Sequence, residues 1–255
     1  MSLCATCQTP LTLTLDIPAS PSSSPSTTTI PDDVHLPCTH HLHWTCLLSA
    51  PDHTTCPACA HPLQNPHHQI LVDLHNEGGL QRQIDIAPLL HEEAYLRAHP
   101  EERKCRAFIE FCREGDHRAV AELLKSCSEE GEEEDEDEDE EGGGGPQKPA
   151  DEILRYQDPL NDMQSGLHAA AANGHREVAW LLLLLASSYP ELEMPALVFQ
   201  EAAALGVMRE DGVEAKVDIR GLRDARGRTA EDVAREVGGV WHGWIGNGRL
   251  AVSGG

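Results

Sequence analysis

Closely spaced cysteines and histidines dominate the first sixty residues of this chain. In order, the residues are Cys4, Cys7, Cys38, His40, His43, Cys46, Cys56 and Cys59. A gap of two residues lets both thiolates of one turn reach a single tetrahedral ion at about 2.3 Å. Eight ligands fill two such sites, and a closed four-ligand site leaves no position for water or substrate. The pattern therefore predicts two structural Zn²⁺ ions. His41 could replace His40 as a ligand, although we expect His41 to face solvent.

The order Cys, Cys, Cys, His, His, Cys, Cys, Cys with these gaps resembles the RING-H2 zinc finger. An apolar Leu42 just before the second histidine and the segment Thr55-Cys56-Pro57 match that family as well. The resemblance implies a cross-brace, in which alternate pairs along the chain share one ion. Carried over to this sequence, Cys4, Cys7, His43 and Cys46 would hold one zinc, and Cys38, His40, Cys56 and Cys59 the other.

The resemblance also implies an activity. RING fingers commonly act as ubiquitin ligases that bind a ubiquitin-charged conjugating enzyme (E2) and position its thioester, so we expect no catalytic residue and no covalent intermediate. By resemblance, Thr6, Leu48 and Pro57 are the candidate contacts with that enzyme. Two contacts usual in the family are missing, because Ala50 stands where many RING-H2 domains have Trp and Ala60 where many RINGs have Arg.

A second resemblance covers much of residues 104–240. The segment Ser165 to Val178 resembles an ankyrin repeat, which typically reads T-P-L-H-x-A-A-x-x-G-H-x-E-V. Its alanines allow two helices to approach closely, and Gly174 suits the left-handed residue that ends a first helix. Weaker copies lie at 111–124, 202–206 and 224–234. Stacked repeats of this kind present an extended surface to protein partners.

The charge of the chain is concentrated in one block. The net charge is −24, and residues 129–141 hold twelve acids and one glycine. Such a block cannot bury apolar surface, so we expect it to be disordered, serving either as a spacer or as a dock for a basic partner. No basic stripe predicts binding to nucleic acid or to an anionic membrane. With no apolar run of about 18 residues, we expect an intracellular protein, cytoplasmic or nuclear, with reduced thiols.

The expected fold is a small zinc-stabilised RING (cross-brace) domain followed by an all-α ankyrin-repeat region with a disordered acidic insert. The predicted segments are a RING-H2 finger over 1–62 with a mobile loop at 18–31, a connector with a helix over 63–103, a first ankyrin-like repeat over 104–127, an acidic and glycine-rich insert over 128–150, further ankyrin-like repeats over 151–240 and a tail over 241–255. The expected function is a RING-type E3 ubiquitin-protein ligase that recruits a protein substrate through the repeats. The alternative is a non-catalytic zinc-finger and ankyrin scaffold.

Overall fold

The computed structural model describes residues 2–17, 26–129, 148–209 and 212–252. The chain divides into two compact units, Met1–Ala98 and His99–Gly255. Both α-helices and β-strands are present. Residues 130–147, most of the insert predicted over 128–150, lie outside the described residues.

The first unit is built from antiparallel strands and two helices. Its elements are β1 (Thr12–Ile17), β2 (Ser26–Pro31), β3 (Asp33–His35), β4 (His41–Leu42), α1 (Trp44–Leu48), β5 (Leu71–Asn76), β6 (Gly79–Asp85) and α2 (Ala87–Ala98). Strands β1 and β2 form a two-stranded sheet, and the other four form a sheet of order β4-β3-β5-β6. Val34 of β3 lies opposite both Leu42 and Leu74, which fixes the register with the apolar residues on one face.

Strand β2 corrects the prediction of a mobile loop over 18–31. Residues 18–25 lie outside the described part of the chain, but residues 26–31 pair along their full length with β1, with Leu13 opposite Ile30. Three consecutive threonines and Ile30 are β-branched residues, which favour extended backbone. The polar residues of this segment suggested a loop, but pairing with β1 makes residues 26–31 a strand.

The segment expected to be a connector belongs to the first unit. The compact unit continues to Ala98, beyond the boundary predicted at residue 62. Strands β5 and β6 form a hairpin in which Val72 is buried, with the flanking Ile70 and Ile86, in the same apolar cluster as Cys4 and Cys56. Helix α2 was predicted from the helical spacing of residues 86–96 and is confirmed. The hairpin before it was missed, because its exposed strand β6 is mostly polar.

The second unit is helical apart from two strands of two residues each among the described residues. Its elements are α3 (Arg103–Glu114), α4 (His117–Glu129), α5 (Ala150–Leu154), β7 (Gln157–Asp158), β8 (Gln164–Ser165), α6 (Gly166–Asn173), α7 (Arg176–Ala186), α8 (Ala196–Leu205) and α9 (Ala230–Val237). Helices α3 and α4 cover residues 104–127, where the first ankyrin-like repeat is predicted. Gly174 ends α6 in the left-handed conformation, with φ 80° and ψ 18°, as predicted.

Three helices form a row in the second unit. Helix α3 packs on α6, and α6 packs on α9, while α4 and α7 follow the first two as partners. Helix α8 lies outside this row and packs on α4 and α7. The weak repeat noted at 202–206 is therefore the end of an additional helix, whose Val198 and Ala202 are buried against these neighbours.

The segment expected to be a tail completes the core of the second unit. Trp241, Trp244 and Leu250 are buried in the large apolar cluster of that unit. The indole N–H of Trp241 donates to the carbonyl oxygen of Ala171 at 2.8 Å. A short 3-10 turn, Gly239–Trp241, follows α9 and carries the first of these tryptophans. The compact unit therefore extends past the boundary predicted at residue 240.

Candidate metal centres

The structure brings the eight predicted ligands together in two groups of four. One group is Cys4, Cys7, His43 and Cys46, and the other is Cys38, His40, Cys56 and Cys59. Within each group the ligand atoms all lie within 4.8 Å of one another. Ligands about 2.3 Å from a tetrahedral ion lie about 3.8 Å apart, so both groups have the size and the donor atoms that Zn²⁺ requires. The two groups are consistent with two zinc ions.

The individual distances fit the same geometry. The Nδ1 atom of His43 lies 3.2 Å from the sulfur of Cys7 and 3.8 Å from the sulfur of Cys46. In the other group, Nδ1 of His40 lies 3.5 Å from the sulfur of Cys38. Each histidine thus directs one ring nitrogen at the cysteines of its group. His40, and not His41, is the histidine of the second group.

The two Cys-x2-Cys turns have the same backbone structure. Gln8 donates its N–H to the carbonyl of Cys4 at 3.0 Å, and Ala60 donates to that of Cys56 at 2.8 Å. Both Gln8 and Ala60 adopt positive φ, 61° and 56°, which turns the chain back after the second cysteine. Each turn is closed by an isolated antiparallel bridge, Leu3 with Pro10 and Thr55 with Pro62. The same local geometry therefore presents two thiols to each group.

Hydrogen bonds stabilise thiolates in both turns, and in the first turn those from the side chain and backbone of Thr9 lower the pKa of Cys7 to about 6. Burial raises the pKa of Cys4, but hydrogen bonds from the backbone of Cys7, His43 and Thr6 outweigh it and lower the pKa. Burial likewise raises the pKa of Cys56, and backbone hydrogen bonds from Ala58 and Cys59 reverse the direction. Thiolates are the form that binds metal, so the turns prepare these sulfurs as ligands.

The thiols of Cys46 and Cys38 show why these clusters suit a cation. Burial, followed by the neighbouring thiols of Cys7 and Cys4, raises the pKa of Cys46 to about 12. Burial, opposed by the backbone of His40 and reinforced by the other cysteines, raises the pKa of Cys38 to about 11. Several thiolates cannot share such a small volume without a positive charge between them. A divalent cation removes this repulsion, so the donor set fits a metal.

A backbone carbonyl holds His43 in place. The ring is 6% exposed, and its Nε2 donates to the carbonyl oxygen of Pro10 at 2.8 Å. This bond leaves Nδ1 unprotonated and directed at the thiols, which is the usual arrangement around a metal-binding histidine. Pro10 could not be identified from the sequence, because a backbone carbonyl that accepts a hydrogen bond has no side-chain signature.

His41 has a structural role next to the metal groups. Its Nδ1 lies 2.8 Å from a carboxylate oxygen of Asp33, and its ring stacks on His35 with centroids 4.3 Å apart. The side chain is 33% exposed. His41 is therefore partly exposed, and the pairing of β3 with β4 places it beside these partners.

The candidate contacts with a conjugating enzyme lie on the turns and on α1. Thr6 and Pro57 are exposed; Thr6 directly precedes the second cysteine of the first turn, and Pro57 directly follows the first cysteine of the other turn. Leu48 is half-buried at the end of α1, while Leu47 is fully buried, as expected for a core residue. The carbonyl of Leu48 accepts a hydrogen bond from Nε2 of His53 at 3.1 Å, which holds the end of the helix.

The three cysteines of the second unit take no part in these groups. Cys105 and Cys112 are fully buried, and Cys127 is half-buried against the same apolar cluster. Burial raises the pKa of Cys105 to about 12, and burial also raises the pKa of Cys112. The thiols of Cys105 and Cys112 therefore stay protonated, and both side chains pack as small apolar groups.

No protein-family model, curated protein or solved structure matches this chain. Within the described ranges, no helix has the length and hydropathy that crossing a bilayer requires. The two Cys/His groups and the packing of each unit are therefore the observations from which a function can be inferred.

Proposed function

We propose that the protein is a RING-type E3 ubiquitin-protein ligase. The observation that carries this proposal is the interleaving of the two metal groups. The first and third ligand pairs along the chain form one group, and the second and fourth form the other. This is the ligand order of the RING cross-brace, and two Zn²⁺ ions held in this way would be structural, since each site is closed by four protein ligands.

The zinc ions would supply cross-links that hold the turns and α1 in fixed positions. The chain's own residues would then bind the E2. Thr6 and Pro57 present exposed side chains on the two turns, and Leu48 lies at the end of α1. Contacts at these three places would orient the ubiquitin thioester for attack by a substrate amine, so that catalysis would consist of positioning.

Substrate recruitment is assigned to the second unit, as a stack of ankyrin-like repeats. Its support is a repeated local pattern. Gly115 ends α3 and Gly174 ends α6, both with φ near 80°, and a second helix begins two residues later in each case. The buried His168 accepts from the backbone N–H of Ser165 at 3.3 Å and donates from Nε2 to the carbonyl of Arg228 at 3.0 Å, linking α6 to the segment before α9.

The alternative function is a non-catalytic scaffold. Ala50 is 6% exposed, so it offers little surface to a partner at the place where many RING-H2 domains have Trp. Ala60 is exposed but carries no charge to hold ubiquitin. In this alternative the first unit binds a protein partner without activating a thioester.

A ubiquitylation assay with purified components and a panel of conjugating enzymes separates the two functions. The double variant Cys38→Ala/His40→Ala removes half of one metal group, and His67→Ala, at an exposed residue outside both groups, is the matched control. We expect the wild type and the control to promote discharge of ubiquitin from the conjugating enzyme, and the double variant to promote none. Ala60→Arg should accelerate discharge, because it restores a cation after the last ligand. Equal inactivity of all four proteins with every enzyme would favour the scaffold and overturn the ligase.

A further inference from the structure

A groove in the second unit lies between helix α8 and helices α4 and α7. Its volume is about 240 Å³, below the roughly 300–1,000 Å³ of pockets for drug-sized molecules. Trp180 and Leu181 of α7 form one wall, and Val198 and Ala202 of α8 form the other. A groove of this size and lining accepts one or two side chains of a protein segment.

The groove exists because α8 is an addition to the row of paired helices. Val198 and Ala202 seat α8 against its neighbours, but these side chains are too small to fill the space beside Trp180, which stays half-buried. Leu197, on the same wall, is 61% exposed. An apolar surface therefore remains open on the side of the unit formed by α4 and α7, away from the row α3-α6-α9.

Two carboxylates border this apolar surface. Glu177 of α7 and Glu201 of α8 both line the groove and are exposed. Neither forms an ion pair or a side-chain hydrogen bond with another residue in the described part of the chain, whereas nearby Glu191 pairs with Arg209 at 3.3 Å. The groove is thus complementary to a segment that carries both apolar and cationic side chains.

The charge of the chain disfavours two other occupants. The acidic block of residues 129–141 holds twelve acids and would be repelled by Glu177 and Glu201. A second copy of this chain would bring a further net charge of −24 to the same rim. Like charges brought together across an interface are unfavourable. A separate, basic protein segment fits better.

We propose that the α8 groove, formed by Trp180, Leu181, Val198 and Ala202 with Glu177 and Glu201 at its rim, binds a basic and apolar segment of a partner protein. An apolar side chain, or the aliphatic stem of a lysine, packs between Trp180 and Val198. The lysine or arginine cations pair with the two carboxylates. The proposal concerns a surface outside the row α3-α6-α9 and does not depend on ligase activity.

Fluorescence anisotropy of the full-length, zinc-loaded protein tests this proposal. The probe is a fluorescein-labelled peptide of twelve residues, in which two leucines alternate with two lysines. Glu177→Gln/Glu201→Gln removes the rim charges, and Glu114→Gln/Glu122→Gln, at exposed and unpaired positions outside the groove, changes the net charge equally. We expect the first pair to weaken binding about five- to tenfold and the second less than twofold, since each exposed ion pair contributes modestly.

A further variant tests the apolar part of the site. Leu197→Ser should also weaken binding of the leucine–lysine peptide, and a peptide with serine in place of leucine should bind much less. Circular dichroism should show unchanged helicity in every variant, because all four glutamates and Leu197 are exposed. Equal losses in the two glutamine pairs, equal binding of the serine peptide, or no binding to the wild type would overturn the proposal. So would a dimer in sedimentation that Glu177→Gln/Glu201→Gln dissociates.

Discussion

The two units of this chain keep their structure by different means. In the first, the apolar cluster is small and includes the thiols of Cys4 and Cys56 themselves, while the helix beside the metal groups has only five residues. In the second, three stacked helices and their neighbours share a large apolar cluster that includes Trp241 and Trp244. A segment with little apolar surface can fold if metal ions cross-link it, whereas the second unit buries a large apolar cluster of its own.

Removal of metal should have the largest effect on stability, and this effect should be confined to the first unit. A structural zinc contributes about 10–16 kcal/mol in model peptides, which equals or exceeds the roughly 5–15 kcal/mol of total stability of a domain. We expect a strong chelator to release two zinc ions per chain and to abolish hydrogen-exchange protection in β3, α1 and β5. Protection in α3, α6 and α7 should remain. Continued protection of α1 in metal-free protein would contradict the comparison.

The same difference explains which structural features of each unit can be predicted from the sequence. The eight ligands are set by local spacing, so Cys4 and Cys7 could be identified from a few neighbouring residues, and so could Gly174 at the end of a helix. The hairpins β1–β2 and β5–β6 depend on pairing between distant residues, and the polar threonines of β2 gave no apolar alternation. Burial of Trp241 depends on the open side of the helix row, which no local pattern reveals.

Truncation of Trp241 should have the second-largest effect, and it should be confined to the second unit. Trp241→Ala removes a fully buried indole and leaves the carbonyl of Ala171 without its donor. Loss of a buried aromatic side chain costs about 3–5 kcal/mol. Urea unfolding followed by far-UV circular dichroism should show this loss, with zinc content unchanged. Trp44→Ala, at a half-buried residue of the first unit, is the control and should leave the helical transition in place. An unchanged midpoint for Trp241→Ala would mean that the C-terminal segment does not stabilise the helix row.

A smaller effect is expected where α6 meets α3 most closely. A Cβ atom at Gly166 would lie 2.7 Å from two ring carbons of Phe108 and 3.0 Å from the sulfur of Cys112. Gly166→Ala should therefore cost about 1–3 kcal/mol, as overpacking of a core usually does. Gly239→Ala is the matched control, because nothing lies within 4 Å of a Cβ atom there. Equal stability of the two variants in urea unfolding would show that the row can relax to accept a methyl group.

The smallest effect concerns a carboxylate of the second unit. Burial raises the pKa of Asp218, but hydrogen bonds from Arg220 and from Ser188, whose N–H and hydroxyl lie 2.8 Å and 2.7 Å away, lower it to about 2. Because this pKa lies below the unfolded value of about 3.9, the unfolded chain binds the proton more tightly. The stabilisation is present above about pH 4 and is lost as the pH falls towards 2.

Asp218→Asn should remove this pH dependence and about 1 kcal/mol of stability at neutral pH, a value reduced for solvent screening. The measurement is the free energy of urea unfolding of metal-free protein, followed by tryptophan fluorescence from about pH 5 downwards. Metal-free protein is required because acid also protonates the thiolates and displaces zinc from the first unit. If the wild type and Asp218→Asn lost stability in parallel as the pH fell, the acid sensitivity of the second unit would arise from other carboxylates. If instead the difference in unfolding free energy between the two proteins disappeared as the pH fell below about 4, the acid sensitivity would be due to Asp218. The second unit, otherwise stabilised by apolar packing, would then also have an electrostatic contribution to its stability.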